Sequence, residues 1–393
     1  MGNYFPEEII LEIFMRLTVK SLVRFTCVNK AWCSIIRNPS FASAHFAHTN
    51  RSHDNNTDHR ILLLADSSEV TTTVFPCLGK PAVSWKSFTT VVPCLIPCLG
   101  KQVIEEQDHS TKSFDEHKQL KASSCKNYDH FEVVGSCNGL VLIKHYIDTV
   151  TLWNPLLEKS VNVPNPDNIG YDERQVYSTD YCSTSWGLGF DSQKNDYKVI
   201  FSLATGDWKS FRVGAPTCSL RHQSHNLQPF INGAIHWLAS AKIGYGGNRH
   251  LVLSFDISNE IFRDMMLPEE IAYREISYLS SHVYGKSLAI CCSSSHSFQL
   301  WVMKEYGEEE SWTQVLIKPK IPRPLGFTTG GEVVWNTKSG IALYDPKKPK
   351  ITNHSVERRR RRYFFAGSYV ESLVLLDPRK RGRGIEEERS KRE

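Results

Sequence analysis

The sequence predicts an α+β multidomain chain. A small three-helix unit occupies residues 1–48, a polar linker 49–60, an all-β domain 61–377, and a charged tail, expected to be disordered, 378–393. The all-β domain is predicted to be a β-propeller of six to seven blades. Two observations point there. Apolar residues recur at helical spacing only before residue 48, and beyond residue 60 glycine-bearing turns precede short apolar strands at intervals that suit four-stranded blades.

The first helix is predicted to open at Pro6, whose fixed φ suits a helix start, with Glu7 and Glu8 in the first turn where the helix dipole favours acids. At 100° per residue, Ile9, Ile10, Ile13, Phe14 and Leu17 share one arc and read as the core stripe. Leu11 and Met15 widen the apolar sector to about 240°, and Glu8, Glu12 and Arg16 hold the rest. A helix so apolar in so small a unit has two surfaces to satisfy, its own core and a partner. Residues 19–28 predict a second helix, Asn29 is the expected N-cap of a third carrying Ala31, Trp32, Ile35 and Ile36, and Pro39 stops it.

These residues carry a resemblance. The run Phe5-Pro6-Glu7-Glu8-Ile9-Ile10-Leu11-Glu12-Ile13-Phe14-Met15-Arg16-Leu17 is followed by Val19-Lys20-Ser21-Leu22-Val23-Arg24-Phe25, by Cys27-Val28-Asn29-Lys30-Ala31-Trp32 and by Ile35-Ile36-Arg37-Asn38-Pro39-Ser40-Phe41. Together they resemble a plant-type F-box over its full motif. Phe5 stands where the family usually has Leu, and Thr18 where it usually has Pro. The resemblance implies a surface for the SKP adaptor, and Pro6, Ile9, Ile10, Leu11, Ile13, Met15, Leu17, Leu22, Val23, Val28 and Trp32 are the residues assigned to it. Among these, Pro6, Ile9, Leu11, Met15 and Leu22 are favoured for the partner, while Phe14, Phe25 and Trp32 lean to the internal core. With the motif beginning beside Met1, no upstream domain is expected.

Past the linker, Asn138-Gly139 precedes Leu140–Ile143, Asn232-Gly233 precedes Ala234–Leu238, Gly285 precedes Leu288–Ile290, and Gly330-Gly331 precedes Val333–Trp335. The glycine intervals are 94, 52 and 45 residues, the first being twice 47. Asn-Gly and Gly-Gly supply the positive φ angles of tight hairpins. Strands ending in an Asp or Asn turn are interleaved: Leu152-Trp153-Asn154-Pro155, Gly189-Phe190-Asp191, Leu253-Ser254-Phe255-Asp256, Leu343-Tyr344-Asp345-Pro346 and Leu373–Pro378. Trp153, Trp208, Trp237 and Trp301 recur beside them, as between packed sheets. Residues 102–130 read as a long polar loop.

The phrases Gly135–Leu140, Leu152–Pro155, Gly187-Leu188-Gly189-Phe190-Asp191 with Asp196-Tyr197-Lys198-Val199, Asn232–Leu238 and Ser311-Trp312-Thr313 resemble, in order, the F-box-associated domain of plant F-box proteins, a kelch-like propeller lacking the strict kelch signature.

Composition excludes other classes. At 393 residues, 40% hydrophobic and 23% charged, the chain can bury a sizeable core. Its apolar runs fall far short of the roughly 18–20 residues of a membrane span, and Glu7, Glu8 and Glu12 interrupt any secretory leader, so no membrane partner is expected and the chain is placed in the cytoplasm and/or nucleus. Eleven cysteines, an odd and sparse number, read as buried free thiols. The net charge of +5 is concentrated: Arg358–Arg362 carry +5 and residues 379–393 carry +3, leaving −3 on the rest, so no basic face for nucleic acid is implied. The arginine run reads as a solvated loop between strands, with nuclear import as the rarer use.

Neither a metal site nor a cofactor is expected. Cys77, Cys94, Cys98, His109 and His117 lack a CxxC pair and sit in a repeated Pro-Cys-Leu-Gly-Lys turn or near it. Gly187-Leu188-Gly189 lacks the third glycine of a phosphate loop, and no nucleophile has a supporting local motif, so no catalytic residue is assigned. His45 and His48 read as surface or capping residues. The resemblance implies the substrate-recognition subunit of an SCF-type ubiquitin ligase, which joins the SKP adaptor, and through it a cullin, to an unidentified target protein. An F-box scaffold outside a cullin complex and a propeller enzyme are the alternatives.

Overall fold

The computed structural model describes residues 6–53, 60–66, 70–76, 88–92, 117–118, 131–145, 150–157, 159–163, 184–203, 218–220, 227–243, 247–318, 322–328, 330–337, 340–348, 350–355 and 362–374. Trp208, Cys77, Cys94, Cys98, His109, Arg358–Arg361 and the 378–393 tail lie outside them, as do Phe5 and most of 102–130.

The N-terminal unit is helical: α1 (Glu7–Met15), α2 (Val19–Phe25), α3 (Lys30–Ile36) and α4 (Pro39–His53). Local chemistry sets each start. Thr18 accepts a hydrogen bond from the Ser21 amide at 3.3 Å and Asn29 one from the Trp32 amide at 2.8 Å, so each satisfies an amide that the first helical turn leaves without a partner. Pro39 both ends the third helix and opens the fourth, at the position where its missing N–H costs nothing. The fourth helix continues into the stretch that the sequence assigns to the linker.

Among the described residues the remainder is mainly antiparallel sheet, with one parallel pairing. The strands β1 (Arg60–Asp66), β2 (Val70–Pro76), β3 (Phe88–Val92) and β4 (His117–Lys118) lie in one sheet. Next come β5 (Phe131–Cys137), β6 (Leu140–His145), β7 (Val150–Asn154) and β8 (Lys159–Val163), paired in that order, then the pair β9 (Thr184–Asp191) and β10 (Asp196–Leu203). A third group holds β11 (Ser219–Leu220), β12 (Phe230–Ile231), β13 (Ala234–Ile243), β14 (Gly247–Asp256) and β15 (Ile261–Met266), with β11 and β12 pairing with opposite ends of β13. A single helical turn, α5 (Glu269–Ala272), leads into β16 (Leu279–Tyr284), β17 (Ser287–Ser293), β18 (Phe298–Met303) and β19 (Trp312–Lys318). Then follow β20 (Gly326–Phe327), β21 (Val333–Thr337), β22 (Gly340–Asp345) and β23 (Lys350–Ser355), and β24 (Arg362–Tyr369) returns to pair with β1.

Several of these sheets have the four-strand antiparallel path of a propeller blade, so helices followed by an all-β propeller-like domain is the architecture; they do not establish the predicted six to seven blades. The two Asn-Gly turns behave as predicted. Asn138 and Gly139 have φ of 48° and 78°, and Asn232 and Gly233 of 50° and 77°, the left-handed pairs of a two-residue hairpin. Apolar cores form between neighbouring sheets. Leu279, Ile290 and Trp301 fill the space where β16–β19 meets the β13–β15 sheet, and Phe298, Phe327 and Trp335 fill it where β16–β19 meets β20–β23. Trp153 and Trp237 are buried as expected. Among the described residues no helix is long and apolar enough to cross a membrane.

The helical unit is not a bead on a string. Its core, built on Phe14, Leu22, Ile36 and Phe41, also contains Leu373 from the far end of the chain, with Leu156 and Leu157 packed against it.

Candidate functional site

The first helix divides its apolar residues differently from the predicted division. Phe14 is buried and meets Trp32 edge-on at 5.2 Å between ring centres, with Phe25 at 6.1 Å and Phe41 at 6.3 Å. Ile10, Leu11, Met15 and Leu17 are half-buried against that cluster. Pro6 is exposed, and Ile9 and Ile13 are exposed at 44% and 48%. At 100° per residue these three fall within about 60° of one another, on one flank of the sector centred on Phe14. Periodicity places Ile9 and Ile13 in the core stripe, where the structure leaves them exposed; of the residues favoured for a partner, Pro6 and Ile9 are exposed, while Leu11 and Met15 are half-buried against the helical core. Glu12 and Arg16 lie on the polar strip as predicted and pair at 2.6 Å, an exposed bond that contributes little stability.

Of the other residues assigned to a partner, Leu22 needs correction. It is fully buried between Phe14 and Ile36 and has no surface to offer. Val23 and Trp32 are half-buried in the same cluster, while Val28 is exposed at 58% in the turn after α2. His45 is also corrected: it is buried, its Nε2 hydrogen-bonds the Leu17 carbonyl at 2.8 Å, and burial lowers its pKa. A carbonyl only accepts, so Nε2 carries the proton, and the ring ties α4 to the end of α1. His48 is exposed as expected.

The phrases by which the β domain is recognised are joints between sheets. Asn154 is fully buried; its Nδ2 donates to the carbonyls of Ser372 and Val374, both at 2.8 Å, and its Oδ1 accepts from the Leu156 and Leu157 amides. Asp191 accepts from the Gln193 and Lys194 amides, which shapes its turn, and from the Ser258 hydroxyl. Lys198 pairs with Asp191 at 3.1 Å and Glu260 at 2.9 Å and donates to the Ile257 carbonyl, so it spans from β10 to the β14–β15 turn. Trp237 donates its indole N–H to the Trp186 carbonyl at 3.0 Å, and a Cβ on Gly187 would stand 2.7 Å from that indole. Trp312 donates likewise to Met266. These residues join neighbouring sheets of the β domain.

Buried ionisable groups follow the same pattern. His236 is fully buried; its Nδ1 bonds the Pro229 carbonyl at 3.1 Å and therefore donates, leaving Nε2 to accept from the Tyr306 hydroxyl at 2.9 Å. Burial pushes its pKa down to about 4 against the raising effect of the Pro229 carbonyl. His282 is pushed down to about 3 by burial and then by Arg323. Burial raises the thiols of Cys137, Cys218, Cys291 and Cys292, the opposite of what a reactive cysteine needs. Among the described residues no three His, Cys, Asp or Glu side chains gather as a metal site. Of the residues weighed for zinc, the three cysteines and His109 fall outside those described, and His117 is described only as part of β4.

Ser372 and Leu373, which Asn154 and the helical core hold, are contacts between the two units that sequence reasoning misses. From sequence, Leu373 is only the start of a strand-turn phrase. The one signal was the apolar Leu373–Leu376 run beside a charged tail.

Comparison with known proteins agrees with this architecture. Residues 4–43 match the family model described as F-box domain, and residues 95–375 the one described as F-box associated beta propeller domain. Relatives in Arabidopsis thaliana include F-box/kelch-repeat protein At3g23880, 27% identical over 86% of this chain and 87% of the relative. F-box protein At3g07870 is 23% identical over 88% and 86%, and F-box protein CPR1 22% identical over 90% and 83%. With the first three helices inside the one match and the sheets from β5 to β24 inside the other, the chain belongs to the plant F-box proteins that carry a C-terminal F-box-associated β-propeller domain.

Proposed function

We propose that the chain is the substrate-recognition subunit of an SCF-type ubiquitin-protein ligase. Its F-box holds the SKP adaptor, and through it a cullin, while the propeller holds a target protein for ubiquitination. The chain itself makes and breaks no bonds. It acts by raising the effective concentration of target lysines near the charged conjugating enzyme.

One observation carries this reading: Pro6, Ile9 and Ile13 form an exposed apolar strip on a helix whose core side is already filled by Phe14. Covering an isoleucine side chain on docking is worth about 1.5–3 kcal/mol, so two of them leave a strong preference for a partner of matching shape. Replacing Ile9 and Ile13 with Asp should abolish co-purification with the adaptor, because each would bury an unpaired charge, while the helical unit stays folded. Adaptor binding at the parent level by this folded variant overturns the assignment.

We also propose six blades. The reading is supported by the side-by-side placement of β5 with β9, β9 with β13, β13 with β16, β16 with β20 and β20 with β24, which strings six sheets into a series. The β9–β10 pair would then be one blade, and β24-β1-β2-β3 another. A crystal structure with seven sheets would overturn it.

A further inference from the structure

We infer that residues 362–374 are a clasp that joins the two ends of the propeller and seats the F-box on it in the same step, so that the F-box holds a fixed orientation instead of hanging from the 49–60 connection. Five contacts, each to a different part of the molecule, converge on this one segment.

The strand β24 pairs along its length with β1, from Tyr369 opposite Arg60 to Arg362 opposite Asp66, which puts the end of the chain beside the first strand of the β domain. On its other side the Ala366 amide donates to the Leu325 carbonyl at 3.1 Å. Any Cβ on Gly326 would run into the Ala366 carbonyl, so only glycine permits this approach. Beyond β24 the chain passes under the β5–β6 turn, where a Cβ on Gly139 would meet the Val370 carbonyl at 2.5 Å and the Ser372 Cβ at 2.7 Å.

There Asn154 grips it. The two amide hydrogens of Asn154 bond the carbonyls on either side of Leu373, and its oxygen accepts from the amides of Leu156 and Leu157. Leu373, 2% exposed, thereby points into the F-box core beside Phe14, Leu22 and Phe41, and Leu156 and Leu157 pack against the same core. A single buried amide thus orients all three leucines that the propeller contributes. Ile9 and Ile13 stay exposed while the clasp is engaged, so seating the F-box leaves its outer strip open.

The clasp stands on these contacts alone. Its consequence for the ligase, a set distance between adaptor and target, rests on the receptor reading above. Full-length chains carrying L373A or N154A test it by limited proteolysis across residues 49–60, by thermal unfolding, and by binding to purified SKP adaptor. Loss of a buried leucine should raise cleavage in that segment about tenfold or more and split one unfolding transition into two. Adaptor affinity should stay within about twofold of the parent, since the outer strip is untouched. Parent-like cleavage with a single transition in both variants overturns the clasp. Should L373A lose the propeller fold, L373V reports instead: intermediate cleavage supports the clasp and parent-like cleavage overturns it. An unmutated chain that fails to bind the adaptor would sink the receptor reading and leave the clasp standing.

Discussion

At the residue scale the ionisable side chains of the propeller act as fasteners, and that gives them a pH signature. Asp191 is driven upward by burial, but the Lys194 amide, the Lys198 ammonium and the Ser258 hydroxyl outweigh this and hold its pKa down to about 2. A carboxylate depressed below its unfolded value of 3.8 stabilises the fold above that value, and the contribution is lost as pH falls toward 2. Asp191→Asn should therefore lower the melting temperature at pH 7, and the difference from the parent should shrink as pH drops below about 4. His236 and His282 are depressed as well, to about 4 and about 3, so both are neutral in the folded protein while the unfolded chain takes up protons below 6.5. The stability they permit is intact above pH 6.5 and is lost as pH falls toward 4. Urea midpoints measured from pH 7.5 to about 5 should decline accordingly; a flat profile would contradict their neutral burial. The turn-forming role of Asp191 was legible, because Gly-Phe-Asp before a polar run signals a turn. Its partners Lys198 and Ser258 were not, since a turn says nothing about which neighbouring sheet its outer side faces.

Among the elements, α1 shows where periodicity stops informing. Helical spacing and the cap at Asn29 locate the first three helices, and the structure adds how the unit tolerates the missing proline: the Thr18 hydroxyl caps α2. An apolar sector of about 240° nevertheless has two flanks, and which one faces inward depends on where the other helices lie. A Leu11→Asp, Met15→Asp pair should then unfold the helical unit, whereas the Ile9, Ile13 pair should leave its circular dichroism unchanged. Hairpin turns separate in the same way. Gly139 and Gly233 have nearly equal φ, so alanine at either pays the same left-handed penalty of about 1–2 kcal/mol. Gly233 faces open space and Gly139 faces the Val370–Ser372 backbone, so G139A should cost clearly more than G233A in denaturant midpoint. Equal losses would show that the closing segment can move aside. The Asn-Gly dipeptides made both hairpins legible; nothing local distinguishes the crowded turn from the open one.

For the whole molecule, the decisive contacts join residues far apart in sequence. Asn154 reaches carbonyls 218 and 220 residues away, and β1 pairs with β24 across nearly the whole β domain. Periodicity and turn chemistry are local signals, so they revealed blades and left the closure unseen. The pairing of the first strand with the last covers an edge that β1 would otherwise leave open. Removing the last strand would uncover the edge of β1 and the faces on either side of the gap, so the cost should spread beyond the deleted residues. Three chains ending at Asp377, Tyr369 and Arg361 separate the contributions. The first keeps every contact described for the clasp and should melt like the parent. The second keeps β24 but loses Leu373 and the two carbonyls held by Asn154, so the propeller should remain cooperative while the F-box melts apart from it. The third loses β24 itself and should show a broad transition, with amide exchange rising in β1 and in β20–β21, the strands beside the gap. Parent-level protection of β1 in this shortest chain would show that the ring does not depend on its last strand, and would assign the stability of the propeller to the individual sheets.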